Sequence, residues 1–155
     1  LEAVERFLAM RVAEGAKMQA DISSRLDGIE SAGGEVEEQS PRTQAAYRER
    51  LYQKLSQLLE TRSVDEQRVL TEVAVFADKI AVDEETVRLR SHIGQFRALL
   101  KSREPAGRKL DFLLQEMNRE VNTIGSKCQD IEITNTVLEM KAELEKIREQ
   151  VQNIE

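Results

Sequence analysis

Glu116 and Glu120 stand one helical turn apart in the stretch "GRKLDFLLQEMNREVNTIGSK", residues 107–127. At that spacing two carboxylates point the same way and can share a hard divalent cation, which takes oxygen ligands and keeps several waters. Asp111, at the start of the same stretch, is a further oxygen donor for such an ion. Glutamate pairs also occur on solvated helices that bind nothing. His92 is the single histidine and lies among Arg88, Arg90 and Arg97. A lone histidine is more often a hydrogen-bonded structural residue than a catalyst. With carboxylates and cations beside it, it joins the set that general acid–base cleavage of a phosphodiester uses.

Charge distribution narrows the substrate class. The chain carries a formal −6, which opposes phosphate binding as a whole. Between Val87 and Leu110, however, lie seven cations: Arg88, Arg90, Arg97, Lys101, Arg103, Arg108 and Lys109. Glu104 alone opposes them, so this block carries +6 and the remainder −12. Arg97 and Lys101 even sit at i,i+4, where like charges repel on a helix. One reading is a solvated basic face; the sharper one is an anionic partner. Arg108 and Lys109 stand at a helix start, where backbone N–H groups can help hold an anion. The GxxxxGK[ST] spacing of a phosphate-binding loop is absent.

Gln115, Asn118 and Asn122 form a polar row with Asp111, about 100° around the axis from the apolar stripe Leu110, Leu114, Met117, Val121 and Ile124. Asparagine is a mediocre helix former, so these amides are expected to bond a ligand or a neighbouring helix. Cys128 has no second cysteine or histidine at ligand spacing and reads as inert; a lone cysteine fits a reducing compartment. Met10, Met18, Met117 and Met140 read as core.

Helices must position all of these groups. Charged residues make up 34% and aromatics 4%, with two prolines and no tryptophan, a profile of long helices without a sheet. Apolar periodicity predicts an all-α chain of about six helices arranged as long antiparallel hairpins. The first runs from Leu1 to about Glu38, weakened at Gly33-Gly34. Ser40 and Pro41 then read as N-cap and N1 of a second, through Leu59, which makes residues 1–62 a helical hairpin and 63–155 the functional segment. Ser63-Val64-Asp65-Glu66 fits a capping box for a third, and Asp83 can cap a fourth. The fifth is residues 107–127, loosened by Gly125. The sixth starts near Asp130 and carries Ile133, Val137, Met140, Leu144, Ile147, Val151 and Ile154, a heptad seam expected to pack along the first helix. No apolar run approaches a membrane span, and no secretory signal opens the chain. Starting at Leu1 inside a helical pattern, it reads as cut from something longer.

"EETVRLRSHIGQF", "GRKLDFLLQEMNREVNTIGSK" and the terminal "ELEKIREQVQNIE" closely resemble the C-terminal half of the bacterial YicC/YloC family, and the likeness runs through nearly the whole chain. It implies a metal-dependent endoribonuclease, cytoplasmic and homo-oligomeric (hexameric in the family), with manganese or magnesium as the divalent cofactor and RNA as partner. It also implies a preceding α/β domain and the family's older description as stress-induced. Within that expectation, the chemistry of the residues themselves makes Glu116, Glu120 and Asp111 the expected metal ligands, and His92 with the Glu pair the catalytic set. Arg88, Arg108, Lys109, Gln115, Asn118, Arg119, Asn122 and Lys127 are the expected RNA contacts. The alternatives are a non-catalytic helical module for oligomerisation and RNA holding, or a structural, stress-related adaptor.

Overall fold

The computed structural model describes residues 1–60, 65–128 and 130–153. Among them the chain is all-α, with five helices: α1 Glu2–Leu59, α2 Glu66–Lys79, α3 Asp83–Lys101, α4 Gly107–Lys127 and α5 Ile131–Gln152. The middle of α1 packs on α3 and α5, and α4 closes the ring between them, while α2 folds back along α1. Tyr47 and Phe76 stack at 5.3 Å to hold that return. The core is therefore a four-helix bundle of Ile22, Leu26 and Ile29 from α1, Leu89, Ile93 and Phe96 from α3, Met117 and Val121 from α4, and the α5 seam.

The expected hairpin over 1–62 is one rod of 58 residues, about 87 Å long at helical rise. Pro41 forfeits one backbone bond and crowds the preceding turn, a loss of about 3 kcal/mol. Burial outweighs it: Ile29, Gly33, Val36 and Ser40 form a continuous buried face across the expected break, and tertiary packing supplies most helical stability in proteins. Ser40 is thus an interior residue rather than a cap. Gly33 keeps an ordinary helical backbone and faces Leu89 of α3, 3.8 Å from where a Cβ would sit.

The other boundaries divide in the same way. Ser63 and Val64 lie outside the described residues, and Asp65 caps α2 by accepting from the Gln67 amide at 3.0 Å. Asp83 is the first helical residue of α3, not its cap; with Glu84 and Glu85 it fills the first turn, where the macrodipole favours acids. Asp130 does cap α5, accepting from the Glu132 amide at 2.7 Å. Six of the seven seam positions, Ile133 to Val151, are buried against the bundle, and Ile154 lies outside the described residues. Gly125 sits inside α4, where a Cβ would come within 3.0 Å of Val137 Cγ1. It permits the close approach of α5 instead of loosening the helix. Met117 and Met140 are core, but Met10 is exposed, as are Val4, Phe7 and Leu8, because the first turns of α1 run beyond the bundle.

Two of the seven cations of the basic block are neutralised by acids of α1, remote in sequence. Arg90 pairs with Glu37 at 2.7 Å, and Arg97 with Glu30 at 2.7 Å and with Asp27, all on α1. On the other side of the bundle Arg25 of α1 bridges to Glu143 of α5 at 2.7 Å, and Gln150 bonds Asp21.

Candidate functional site

Helical spacing places His92 on the side of α3 that meets α4, and Glu116 and Glu120 on the flank of α4 that meets α3. One ligand atom from each of His92, Glu116 and Glu120 lies within 4.8 Å of the other two. Glu120 is buried, and the other two are half-buried. The Nδ1 atom of His92 is buried without a hydrogen-bond partner among the described residues. These three residues, drawn from the sequence as the catalytic set, do converge. Asp111 does not join them: it lies on the opposite flank of α4, accepting a bond from Gln115 at 3.0 Å. Five residues separate Asp111 from Glu116, which rotates it about 140° away.

A second layer of charge surrounds the trio. Arg88 donates from Nε to Glu120 at 2.9 Å and from Nη1 to Glu84 at 3.2 Å, and its Nη2 lies 3.4 Å from Glu85. Lys127 reaches back from the end of α4 to Glu85 at 2.7 Å and to the Ala81 carbonyl at 3.2 Å. The bonds from Arg88 to Glu120 and Glu84 raise its guanidinium further above its usual range. Burial pushes the Glu85 carboxyl up, but the Lys127 bond, its backbone bond and the two neighbouring cations outweigh this and hold it below the usual carboxylate value. One Glu85 oxygen, Oε2, remains buried without a partner. Arg88 and Lys127, read from the sequence as RNA contacts, are thus engaged with the chain's own carboxylates.

The amide row occupies the other flank. Asp111, Gln115 and Asn118 of α4 face Lys141, Arg148 and Gln152 of α5 across an open groove of about 340 Å³. Gln115 finds its partner in Asp111, whereas Asn118 and Asn122 are exposed and make no side-chain hydrogen bond among the described residues. Arg108, Lys109 and Arg119 are exposed and have no ion pair there either.

Residues 36–155 match the family model described as "Endoribonuclease YicC-like, C-terminal". The chain belongs to this family. It is 50% identical over 155 residues to a probable endoribonuclease YicC of Clostridioides difficile, covering 99% of this chain and 53% of that protein. With a probable endoribonuclease YicC of Haemophilus influenzae it shares 42% identity over 151 residues, 96% of this chain and 51% of the relative. The chain therefore spans about half the length of the curated relatives it matches. No helix among the described residues is long and apolar enough to cross a membrane.

Sequence reading of this YicC-like chain missed two features. Buried Glu85 pairs with half-buried Lys127 between α3 and α4, 42 residues apart, and no local pattern announces it. Phe112 is 59% exposed beside Arg108 and Lys109; its place off the Leu110–Leu114–Met117 stripe was the available signal.

Proposed function

We propose that the α3–α4 flank is the catalytic face of a divalent-metal-dependent endoribonuclease, with Glu116, Glu120 and His92 holding the ion. The convergence of one imidazole and two carboxylates within 4.8 Å carries this reading, together with the names of the relatives. The donor set suits manganese better than magnesium, because imidazole is a poor ligand for magnesium and an acceptable one for the softer ion. A bound divalent ion supplies charge at a phosphoryl oxygen and a lowered pKa for water.

The chain's own residues do the rest. Glu120 is buried and bonded to Arg88 through Oε1, which anchors its carboxyl beside Glu116 and His92. Arg88 offsets the negative charge of the carboxylates, which would otherwise repel the phosphate backbone. Arg108, Lys109 and Arg119 grip phosphates, and the groove of Gln115 and Asn118 adds hydrogen bonds to RNA on the far flank, with Asn122 beyond it. His92 moves from the acid–base role read from the sequence to third ligand, because a ring nitrogen lies within 4.8 Å of both carboxylates.

The test is manganese binding and RNA cleavage by the whole protein carrying His92→Gln. Loss of both supports the three-donor site. Unchanged manganese affinity with slow cleavage returns His92 to acid–base work. The competing reading is a non-catalytic, self-associating RNA-holding module in the cytoplasm, favoured by the exposed Val4, Phe7 and Leu8 of α1. Salt-sensitive RNA binding with no metal-dependent turnover would establish it.

A further inference from the structure

A second feature lies between α3 and α4, one helical turn from Glu116. Toward the C-terminal end of α3, Gln95 and Leu99 face Arg108, Lys109 and Phe112 of α4 across an open cleft of about 530 Å³. Phe112, Glu116 and Glu120 are spaced by four residues, so they follow one flank of α4 at steps of about 6 Å along the axis. His92, Gln95 and Leu99 follow the facing side of α3 in the same way. The cleft and the carboxylate–histidine cluster are two stations on one track.

The Phe112 ring is not needed to fill the core: its neighbour Leu113 is buried, while Phe112 itself is 59% exposed. Among the described residues it stacks on no other ring and sits under no guanidinium. The charges beside it differ from those further along α3. Arg88, Arg90 and Arg97 all have acidic partners, whereas Lys101, Arg103, Arg108 and Lys109 have no ion pair among the described residues. An apolar protein helix laid over Phe112 would have to desolvate those cations without compensation. A phosphate backbone would neutralise them while a base covered the ring.

We propose that this cleft is a stacking platform for a base of single-stranded RNA, with Phe112 under the base and Arg108 and Lys109 on the flanking phosphates. This rests on the α3–α4 flank being an RNA-cleaving site, and adds to it the substrate class. Paired RNA keeps its bases stacked on one another and offers no free face. The strand must therefore be unpaired within one or two nucleotides of the scissile phosphate, on the side of the cut that lies toward the α3–α4 turn.

These 155 residues contain no tryptophan, so Phe112→Trp adds a fluorescent reporter at the platform, read as the difference from the parent protein. The experiment titrates the whole protein carrying this change with an oligouridylate in EDTA, which prevents cleavage. Tryptophan emission should be quenched, with affinity kept near that of the parent protein. An abasic strand with the same phosphates should bind without quenching. Phe112→Leu, which keeps apolar bulk without the aromatic face, should weaken oligouridylate binding about 5- to 150-fold and leave the salt slope unchanged. Binding without quenching, or full affinity in Phe112→Leu, overturns the platform. So does an altered oligomeric state in Phe112→Leu with RNA affinity intact, which would make this face a contact between copies. Cleavage is followed in parallel in a Glu116→Gln, Glu120→Gln variant. Quenching with undiminished cleavage there removes the metal site and leaves the platform. Cleavage that needs the Glu pair, without quenching, removes the platform alone.

Discussion

The two flanks of α4 carry similar polar sequence and have opposite fates. Toward α3, Glu116 and Glu120 enter a seam where Glu85 and Glu120 are only 3% and 5% exposed, and Arg88 and Lys127 answer them. Toward α5, Asp111, Gln115 and Asn118 border a groove open to solvent. The difference lies in what the neighbouring helix presents. α3 brings a histidine and an arginine into a tight contact, while α5 brings exposed Lys141 and Arg148 on long side chains. In the first setting Glu85 and Glu120 are bonded to fixed cations, which is the setting that preorganises chemistry. Groups in the second are solvated and can contribute affinity.

The largest expected effect tests that division directly. Glu116→Gln with Glu120→Gln should cut manganese-dependent RNA cleavage by more than the roughly 10- to 100-fold that loss of an outer-shell partner costs. Gln115→Ala with Asn118→Ala should instead weaken RNA affinity by about tenfold or less, the scale of one or two hydrogen bonds, with the single-turnover rate unchanged. Cleavage rates and circular dichroism of both variants decide it. Equal loss of rate from the two flanks would break the comparison.

Lys127→Met probes stability on the flank facing α3. It leaves buried Glu85 with Arg88 at 3.4 Å as its remaining cation, at an expected cost of about 3 kcal/mol in urea unfolding. Lys141→Met in the open groove should change stability by less than about 0.5 kcal/mol. Acid sharpens the same contrast. The folded Glu85 carboxyl lies below its ordinary 4.5, so the stability it contributes is present above that value and is lost as pH falls through the folded value. Without Lys127, burial is opposed only by the backbone bond and Arg88, so the carboxyl moves up relative to the parent and loses less stability on protonation. The stability gap between parent and Lys127→Met should therefore narrow as pH is lowered from about 7 to about 3. A gap that stays constant would show Glu85 is not the group involved.

The smallest effect concerns how closely α4 meets its neighbours. Gly94→Ala, on an open face of α3, should gain about 1 kcal/mol from helix propensity. Gly125→Ala should gain nothing or lose about 1 kcal/mol, because its Cβ meets the stiff, β-branched Val137. Thermal unfolding of the pair gives the difference.

Periodicity alone determined much of this protein. The apolar stripe of α4 and the heptad seam of α5 were legible because a helix repeats every 3.6 residues and buries one face whatever it packs on. For the same reason the Glu116–Glu120 pair was visible as one feature, and the start of α5 near Asp130. Tertiary structure decided the rest. Gly33-Gly34 and Pro41 carry local signals for a break, yet packing across them is worth more than the local loss, so α1 runs through. The basic block looked unopposed because its acids, Asp27, Glu30 and Glu37, lie more than fifty residues away. Which of two polar flanks became a buried, charge-locked seam depended on the helix each one met, and helical spacing within one segment carries no information about that partner.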